Sequence, residues 1–177
     1  MCAPAGAPGG GLTGLQSRPV RTAVLTISTS VTRHESEDES GPLLAELAEL
    51  AGAEVVGIEV VPDDLPLIED RLRHWVDARA DLVLTTGGTG LTPDDVTPEA
   101  TLAVIDRHAP GFAEAMRAEA MRHTPMGILS RGVSGVAGRT LIINLPGSPK
   151  AVRESFEVLA PSLNHAVSLL RGRRGRH

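Results

Sequence analysis

The residues able to do chemistry gather in one stretch, Thr85-Thr86-Gly87-Gly88-Thr89-Gly90-Leu91-Thr92-Pro93-Asp94-Asp95. Gly87, Gly88 and Gly90 permit positive φ and close backbone approach, so their N–H groups can cradle an anion. Thr86 and Thr89 add hydroxyl donors. Asp94 or Asp95 cannot favourably face a phosphate without a cation between them. Mg2+ suits that place, because it takes one or two carboxylates and completes its shell with waters and substrate phosphates. Asp63, following Val60-Val61-Pro62, offers a second carboxylate. Its neighbour Asp64 reads as the cap of the next helix. Asp95 also has a plain reading as a turn cap before Thr97; beside Thr-Gly-Gly-Thr-Gly the metal role is preferred.

Two known glycine signatures are excluded. No lysine stands near Gly90, as a P-loop requires, and Gly88-Thr89-Gly90-Leu91-Thr92-Pro93 lacks the last glycine of the dinucleotide fingerprint. Lys150 is the only lysine, beside sixteen arginines. It follows Pro146-Gly147-Ser148-Pro149 in the first turn of a helix, where a compact ammonium reads as an anion contact. The six histidines show no metal-ligand spacing, and no Ser-His-Asp or Cys-His arrangement can be argued. Direct transfer by positioning and metal electrostatics is the chemistry left.

The elements that must position these groups alternate. Strands are predicted at Val20–Ser28, Val55–Val61 and Asp81–Thr86, then two short ones at Ile128–Ser134 and Arg139–Asn144 around a turn at Val136-Ala137-Gly138. Helices are predicted from Ser40 to Gly52, with Ser40 as N-cap, and over Leu65–Ala78. Two more follow at Thr97–Arg107, with Thr97 as N-cap, and Gly111–Arg122. A last helix begins near Lys150; its apolar face, Val152 to Leu170, must pack somewhere, and Pro161 should kink it. The pattern implies a three-layer α/β/α sandwich with a mostly parallel central sheet. Ligands of such sheets bind beyond the carboxyl ends of the strands. Ser28, Asp63, Thr86 and Asn144 all follow predicted strands, so four segments offer polar groups at one edge. On its own, the hydroxyl cluster at Ser28 reads as turn chemistry.

Composition bounds the rest. A chain of 177 residues supports one domain, read as 19–170, between a tail at 1–18 and a basic, solvated tail at 171–177. The formal charge of −5 becomes −10 once Arg18, Arg171, Arg173, Arg174 and Arg176 are set aside. An acidic body with only Trp75, Phe112 and Phe156 as aromatics argues against nucleic-acid binding. One cysteine, Cys2, excludes an intrachain disulfide and a thiolate cluster. No apolar run approaches a membrane span and no signal peptide is evident, which points to the cytoplasm.

Taken together, several segments resemble the MoaB/Mog family of molybdenum-cofactor biosynthesis proteins, which includes the gephyrin G domain. They are Thr85–Gly90, Asp95-Val96-Thr97-Pro98-Glu99-Ala100-Thr101, Pro110-Gly111-Phe112, Ser130-Arg131 and Leu141–Lys150. The resemblance spans about Arg21 to Leu170. It implies a molybdopterin adenylyltransferase that moves AMP from Mg-ATP to the terminal phosphate of molybdopterin, with ATP and molybdopterin as substrates. It implies Asp63 and Asp95 as the essential acids, acting through Mg2+, and Thr86, Gly87, Gly88, Thr89 and Gly90 as the nucleotide loop. Ser28, Ser130, Asn144, Pro146, Gly147, Ser148 and Lys150 then fall on the molybdopterin side. It further implies a homotrimer or hexamer, and hand-over to the molybdenum insertion enzyme. One departure stands out: Asp94 sits where many members carry a basic residue. A non-catalytic molybdopterin carrier and a nucleotide pyrophosphatase akin to a domain of competence-damage proteins are the alternatives.

Overall fold

The computed structural model describes residues 18–172; the expected tails at 1–18 and 171–177 lie outside the described residues except for Arg18, Arg171 and Gly172. Six strands, β1 (Val20–Ile27), β2 (Ala53–Val61), β3 (Leu82–Thr86), β4 (Arg107–His108), β5 (Ser134–Ala137) and β6 (Thr140–Leu145), form one sheet in the order β2-β1-β3-β6-β5-β4. The four strands β2, β1, β3 and β6 run parallel, while β5 and β4 add an antiparallel edge. The helices are α1 (Thr29–Thr32), α2 (Ser40–Leu50), α3 (Leu65–Asp77), α4 (Thr97–Val104), α5 (Gly111–His123) and α6 (Pro149–Leu170).

Side-chain alternation along the strands builds the three layers. Val24, Leu82, Leu84, Leu141 and Ile143 pack with Leu44 of α2, Met116 of α5 and Phe156, Leu159 and Leu163 of α6. Ala23, Leu25, Val83 and Ile142 point to the other face and meet Ile68, Leu72 and Trp75 of α3 and Ala100 of α4. Gly57 is required by that second layer, because a Cβ there would stand 2.2 Å from the Trp75 ring. The apolar face of α6 is thus satisfied within the chain.

Five expectations change. The first short strand lies at Ser134–Ala137, not Ile128–Ser134, and a 3-10 turn occupies Pro125–Leu129. Ala137 pairs with Thr140, so the hairpin turns on Gly138, at φ 59, and Arg139. Helix α4 ends at Val104, and Arg107-His108 pairs with β5 instead of extending the helix. Helix α6 runs through Pro161 unbroken. Leu159, Leu163 and Val167 hold it to the core on both sides of the proline, while Pro161 and Glu157, whose carbonyl loses its intrahelical partner, are exposed. Finally, Arg171 is not a solvated tail residue. Its guanidinium is paired with Asp81 and also donates to the carbonyls of Arg18 and Pro19.

Candidate active site

The four parallel strands end at the same edge of the sheet, which places Ser28, Asp63, Gly87 and Pro146 on one rim. Between β3 and α4 the chain turns sharply through Gly87 and Gly88, at φ 97 and 63. A Cβ at Gly87 would meet the Ile27 carbonyl at 2.3 Å, and one at Gly88 would meet the Thr97 hydroxyl at 2.3 Å. Only glycine fits this turn. Contrary to expectation, Thr97 does not cap α4, whose N-cap is Val96; its hydroxyl donates to the Gly87 carbonyl at 3.0 Å and its N–H to the Gly88 carbonyl at 3.1 Å. Thr86 is fully buried and donates to the Pro146 carbonyl at 2.7 Å, so its hydroxyl is not offered to a phosphate. The amides of Gly88 and Thr89 meet no acceptor among the described residues.

The two acids flank those amides. Asp63 Oδ2 accepts from the Thr29 N–H and the Thr29 hydroxyl, both at 2.8 Å, and Oδ1 lies 3.2 Å from the place of a Cβ on Gly88. Asp95 Oδ2 accepts from the Thr92 N–H at 2.9 Å and the Thr92 hydroxyl at 2.6 Å, and lies 2.8 Å from the place of a Cβ on Gly90. In each acid Oδ2 takes the internal hydrogen bonds, and Oδ1 takes none among the described residues. Burial pushes the Asp95 carboxyl up, but the Thr92 hydroxyl, the Gly90 and Thr92 amides and the Arg131 charge outweigh it and hold it below the usual carboxylate range. Asp64 caps α3 as expected, accepting from the Leu67 N–H. Asp95 caps no helix, since Val96 is the N-cap of α4 and has no side-chain cap bond. Asp94 is exposed and makes no side-chain hydrogen bond or ion pair among the described residues.

Sequence reasoning missed two residues. Arg131 binds the glycine loop from outside: its N–H donates to the Thr89 carbonyl at 2.9 Å, Nε to the Gly90 carbonyl at 2.7 Å and Nη2 to the Asp95 carbonyl at 2.5 Å. It also pairs with Glu99, holding that carboxyl below its usual range. Asp38, in the loop before α2, accepts from the Thr26 hydroxyl at 2.8 Å and the Gly41 N–H at 2.9 Å. It takes the capping place expected of Ser40, whose hydroxyl instead reaches the Gly147 carbonyl at 2.7 Å. Asp38 three residues before Gly41 was the available sequence signal; Arg131 offered none beyond its place next to Ser130.

The residues assigned to the molybdopterin side do not form one group. Ser130, Asn144 and Pro146 line a cavity of about 210 Å3 together with Met116, Met126 and Arg117. Ser28 and Gly147 line a second cavity of about 260 Å3 with Asp38, Thr86 and Gly87. The consecutive residues Pro146 and Gly147 therefore face different cavities. The Asn144 amide is buried and committed within the fold: it accepts from the Val133 N–H and donates to the hydroxyls of Thr85 and Thr101. Ser28 caps α1 and Ser148 caps α6. Lys150 is not among the residues lining either cavity; its side chain is 82% exposed and its Nζ lies 3.9 Å from Glu154, which lines the first.

Comparison with known proteins places this architecture. Residues 23–165 match a family model described as "probable molybdopterin binding domain". The chain is 39% identical over 156 residues to the molybdopterin adenylyltransferase of Helicobacter pylori strain J99, covering 86% of this chain and 89% of that protein. It is 44% identical over 151 residues to the molybdenum cofactor synthesis protein cinnamon of Drosophila melanogaster, covering 83% of this chain. The chain spans only 25% of cinnamon and 22% of the Dictyostelium discoideum gephyrin that it also matches. The crystal structure of the molybdopterin biosynthesis enzyme MoaB from Thermus thermophilus superposes with a TM-score of 0.81 at 52% identity, over 86% of this chain and 97% of that one.

Proposed function

The chain belongs to the MoaB/Mog family of molybdopterin-binding proteins, and from that premise we propose that it is a molybdopterin adenylyltransferase acting in molybdenum cofactor biosynthesis. The observation that carries this reading is the pair of cavities parted by Pro146 and Gly147 at the carboxyl edge of the sheet. The reading is also supported by bacterial relatives of that name at 39–41% identity. The cavity lined by Met116, Met126 and Ala120 has the apolar walls that a flat pterin ring needs. The glycine loop, with its open amides at Gly88 and Thr89, takes the phosphates of ATP.

The terminal phosphate oxygen of molybdopterin attacks the α-phosphorus of ATP. A new P–O bond forms as the bond to the bridging oxygen breaks, and pyrophosphate leaves with the electron pair. The attacking oxygen is already ionised at neutral pH, so no protein base is needed. Among the described residues no three acids, histidines or cysteines gather as a metal cage. Two carboxylates, each with a free Oδ1, fit Mg2+, which draws its other ligands from water and phosphate. Bound there, Mg2+ would offset the repulsion of the two anions and stabilise the charge on pyrophosphate. Thr29 and Thr92 orient Asp63 and Asp95, and Arg131 keeps the loop from drifting away from them.

The exposed apolar residues Met121, Met126, Ile128 and Leu129 cluster on α5 and the 3-10 turn beside the pterin cavity. They suit burial against another copy of the chain in a trimer or hexamer, which light scattering would test. No helix among the described residues is long and apolar enough to cross a membrane. A cytoplasmic enzyme passing adenylylated pterin to the molybdenum insertion enzyme completes the reading. The decisive assay is incubation with Mg-ATP and molybdopterin. Adenylylated pterin and pyrophosphate in equal amounts are expected. Pterin bound without pyrophosphate release would make the protein a carrier and overturn the reading, as would ATP hydrolysis indifferent to the pterin.

A further inference from the structure

The opposite edge of the sheet holds a second charged region that the adenylyl transfer does not use. There, at the amino ends of β3 and β6, lies a cavity of about 610 Å3. Its charged walls come from four places along the chain: Arg18 and Arg21 at the start of β1, Arg79 in the turn after α3, Arg139 in the β5–β6 hairpin and Arg171 at the end of α6. Asp81 is the only acid among the described residues that line the cavity, so five arginines there face one carboxylate, a net of +4 on a chain whose formal charge is −5.

Asp81 cannot neutralise this region, because both its oxygens are already held. Oδ1 accepts from Arg171 Nε at 3.0 Å, and Oδ2 accepts from Arg171 Nη2 at 2.6 Å and from the Arg21 N–H at 2.9 Å. Arg21 in turn donates to the carbonyls of Ala78 and Arg79. These bonds make a fixed floor. Arg79 and Arg139 are exposed at the cavity and make no ion pair among the described residues. Arg79 is also held at φ 57, a backbone region uncommon for a side chain of this size.

We propose that this cavity is a binding site for an oligophosphate, either inorganic or the phosphate chain of a nucleoside triphosphate. Guanidinium forks match phosphate oxygens bidentately and remain charged at every physiological pH. One carboxylate balances one guanidinium, as Asp81 does with Arg171. A net of +4 spread over separate elements around one cavity suits a compact ligand bearing several negative charges. Among the described residues that line the cavity no carboxylate oxygen is left for a cation, so binding needs no Mg2+, in contrast to the glycine loop. The inference does not rest on the proposed transferase activity.

The test is amide NMR of the whole chain titrated in EDTA with inorganic tripolyphosphate, and separately with ATP. The amides of Asp81, Gly138, Arg139 and Thr140 should shift and saturate together, and the affinity should fall as salt is added. The double variant Arg79→Ser/Arg139→Ser, whose changed side chains are exposed, should bind at least tenfold more weakly at these amides. Its shifts at Gly87 to Gly90 should match the wild type. An equal response to both ligands identifies the phosphate chain as what is recognised, and a response to ATP alone identifies the nucleotide form. Shifts confined to Gly87–Gly90, or unaltered affinity in the double variant, would overturn the proposal.

Discussion

Asp81, at the amino edge of the sheet, meets Arg171 fork to fork and also takes a backbone N–H. Asp95, at the carboxyl edge, has one oxygen held by Thr92 and the other without a partner among the described residues. Both carboxyls are held below the usual range, yet their donors differ. Burial pushes Asp81 up, and two arginines with a backbone N–H pull it down further; Asp95 is lowered mainly by neutral hydroxyl and amide donors. A saturated carboxylate ties elements together and has nothing left to bind with. A half-saturated one is fixed in place and still open. Arginine follows the same division. Arg171 pairs with the acid itself, whereas Arg131 binds only the Thr89, Gly90 and Asp95 carbonyls of the acid's loop and turns its charge to Glu99.

The contrast can be broken by substitution, with the largest effect expected at Asp95. Asp95→Asn should lower adenylylation by about a hundredfold or more, the range seen when a preorganised charge-stabilising group is lost. Mn2+ binding in the presence of ATP, followed by electron paramagnetic resonance, should be lost with it. Gly88→Ala should cost about as much activity as it costs loop geometry. The added Cβ meets Thr97 at 2.3 Å in a left-handed backbone, a strain of about 1–3 kcal/mol that the loop escapes by moving. The readout is kcat, with a melting curve to confirm that the core persists.

Arg131→Met should reduce kcat roughly tenfold by loosening the Gly90 and Asp95 carbonyls at once, since each charge-assisted bond contributes about 1.5–3 kcal/mol, much of it regained by local relaxation; the bond from its backbone N–H to the Thr89 carbonyl remains. Arg131→Lys should restore little, because an ammonium cannot reach several carbonyls in one plane. Asp81→Asn should leave kcat unchanged and destabilise the fold by about 2–3 kcal/mol. The pH dependence follows from the lowered Asp81 carboxyl. Its contribution is complete above the ordinary carboxylate range and is lost as pH falls through the native value, so the stability gap between wild type and Asp81→Asn should narrow below about pH 4. Lys150→Ala, the smallest change, should alter activity by less than about twofold, as expected of an exposed ion pair.

The strands and the rim were legible because period-two alternation and strand–turn–helix punctuation are local signals. Asp63, Asp95 and the glycines could be placed together for the same reason. What escaped was long-range use of polar residues. Ser40 and Thr97 carry the sequence marks of helix caps, yet their hydroxyls hold Gly147, 107 residues away, and Gly87. Nothing local distinguishes a hydroxyl that caps its own helix from one that reaches across the rim. Asn144 follows a strand as a ligand residue would, but the fold closes its amide between Thr85 and Thr101. Lys150 was singled out by its rarity, and rarity carries no direction. The shift of the first hairpin strand from Ile128–Ser134 to Ser134–Ala137 has a simpler cause: Gly138-Arg139 suffices to turn the chain, so pairing begins later than the apolar run suggests.

The division between the two edges is tested most directly by measuring pyrophosphate release and melting temperature on the same preparations of wild type, Asp95→Asn and Asp81→Asn. Asp95→Asn should be silent in the assay and melt within a few degrees of wild type. Asp81→Asn should release pyrophosphate at the wild-type rate and melt about 4–12 °C lower, from about 2–4 °C per kcal/mol for a chain of this size. An Asp95→Asn protein that collapses on heating, or an Asp81→Asn protein that is inactive though folded, would contradict the account.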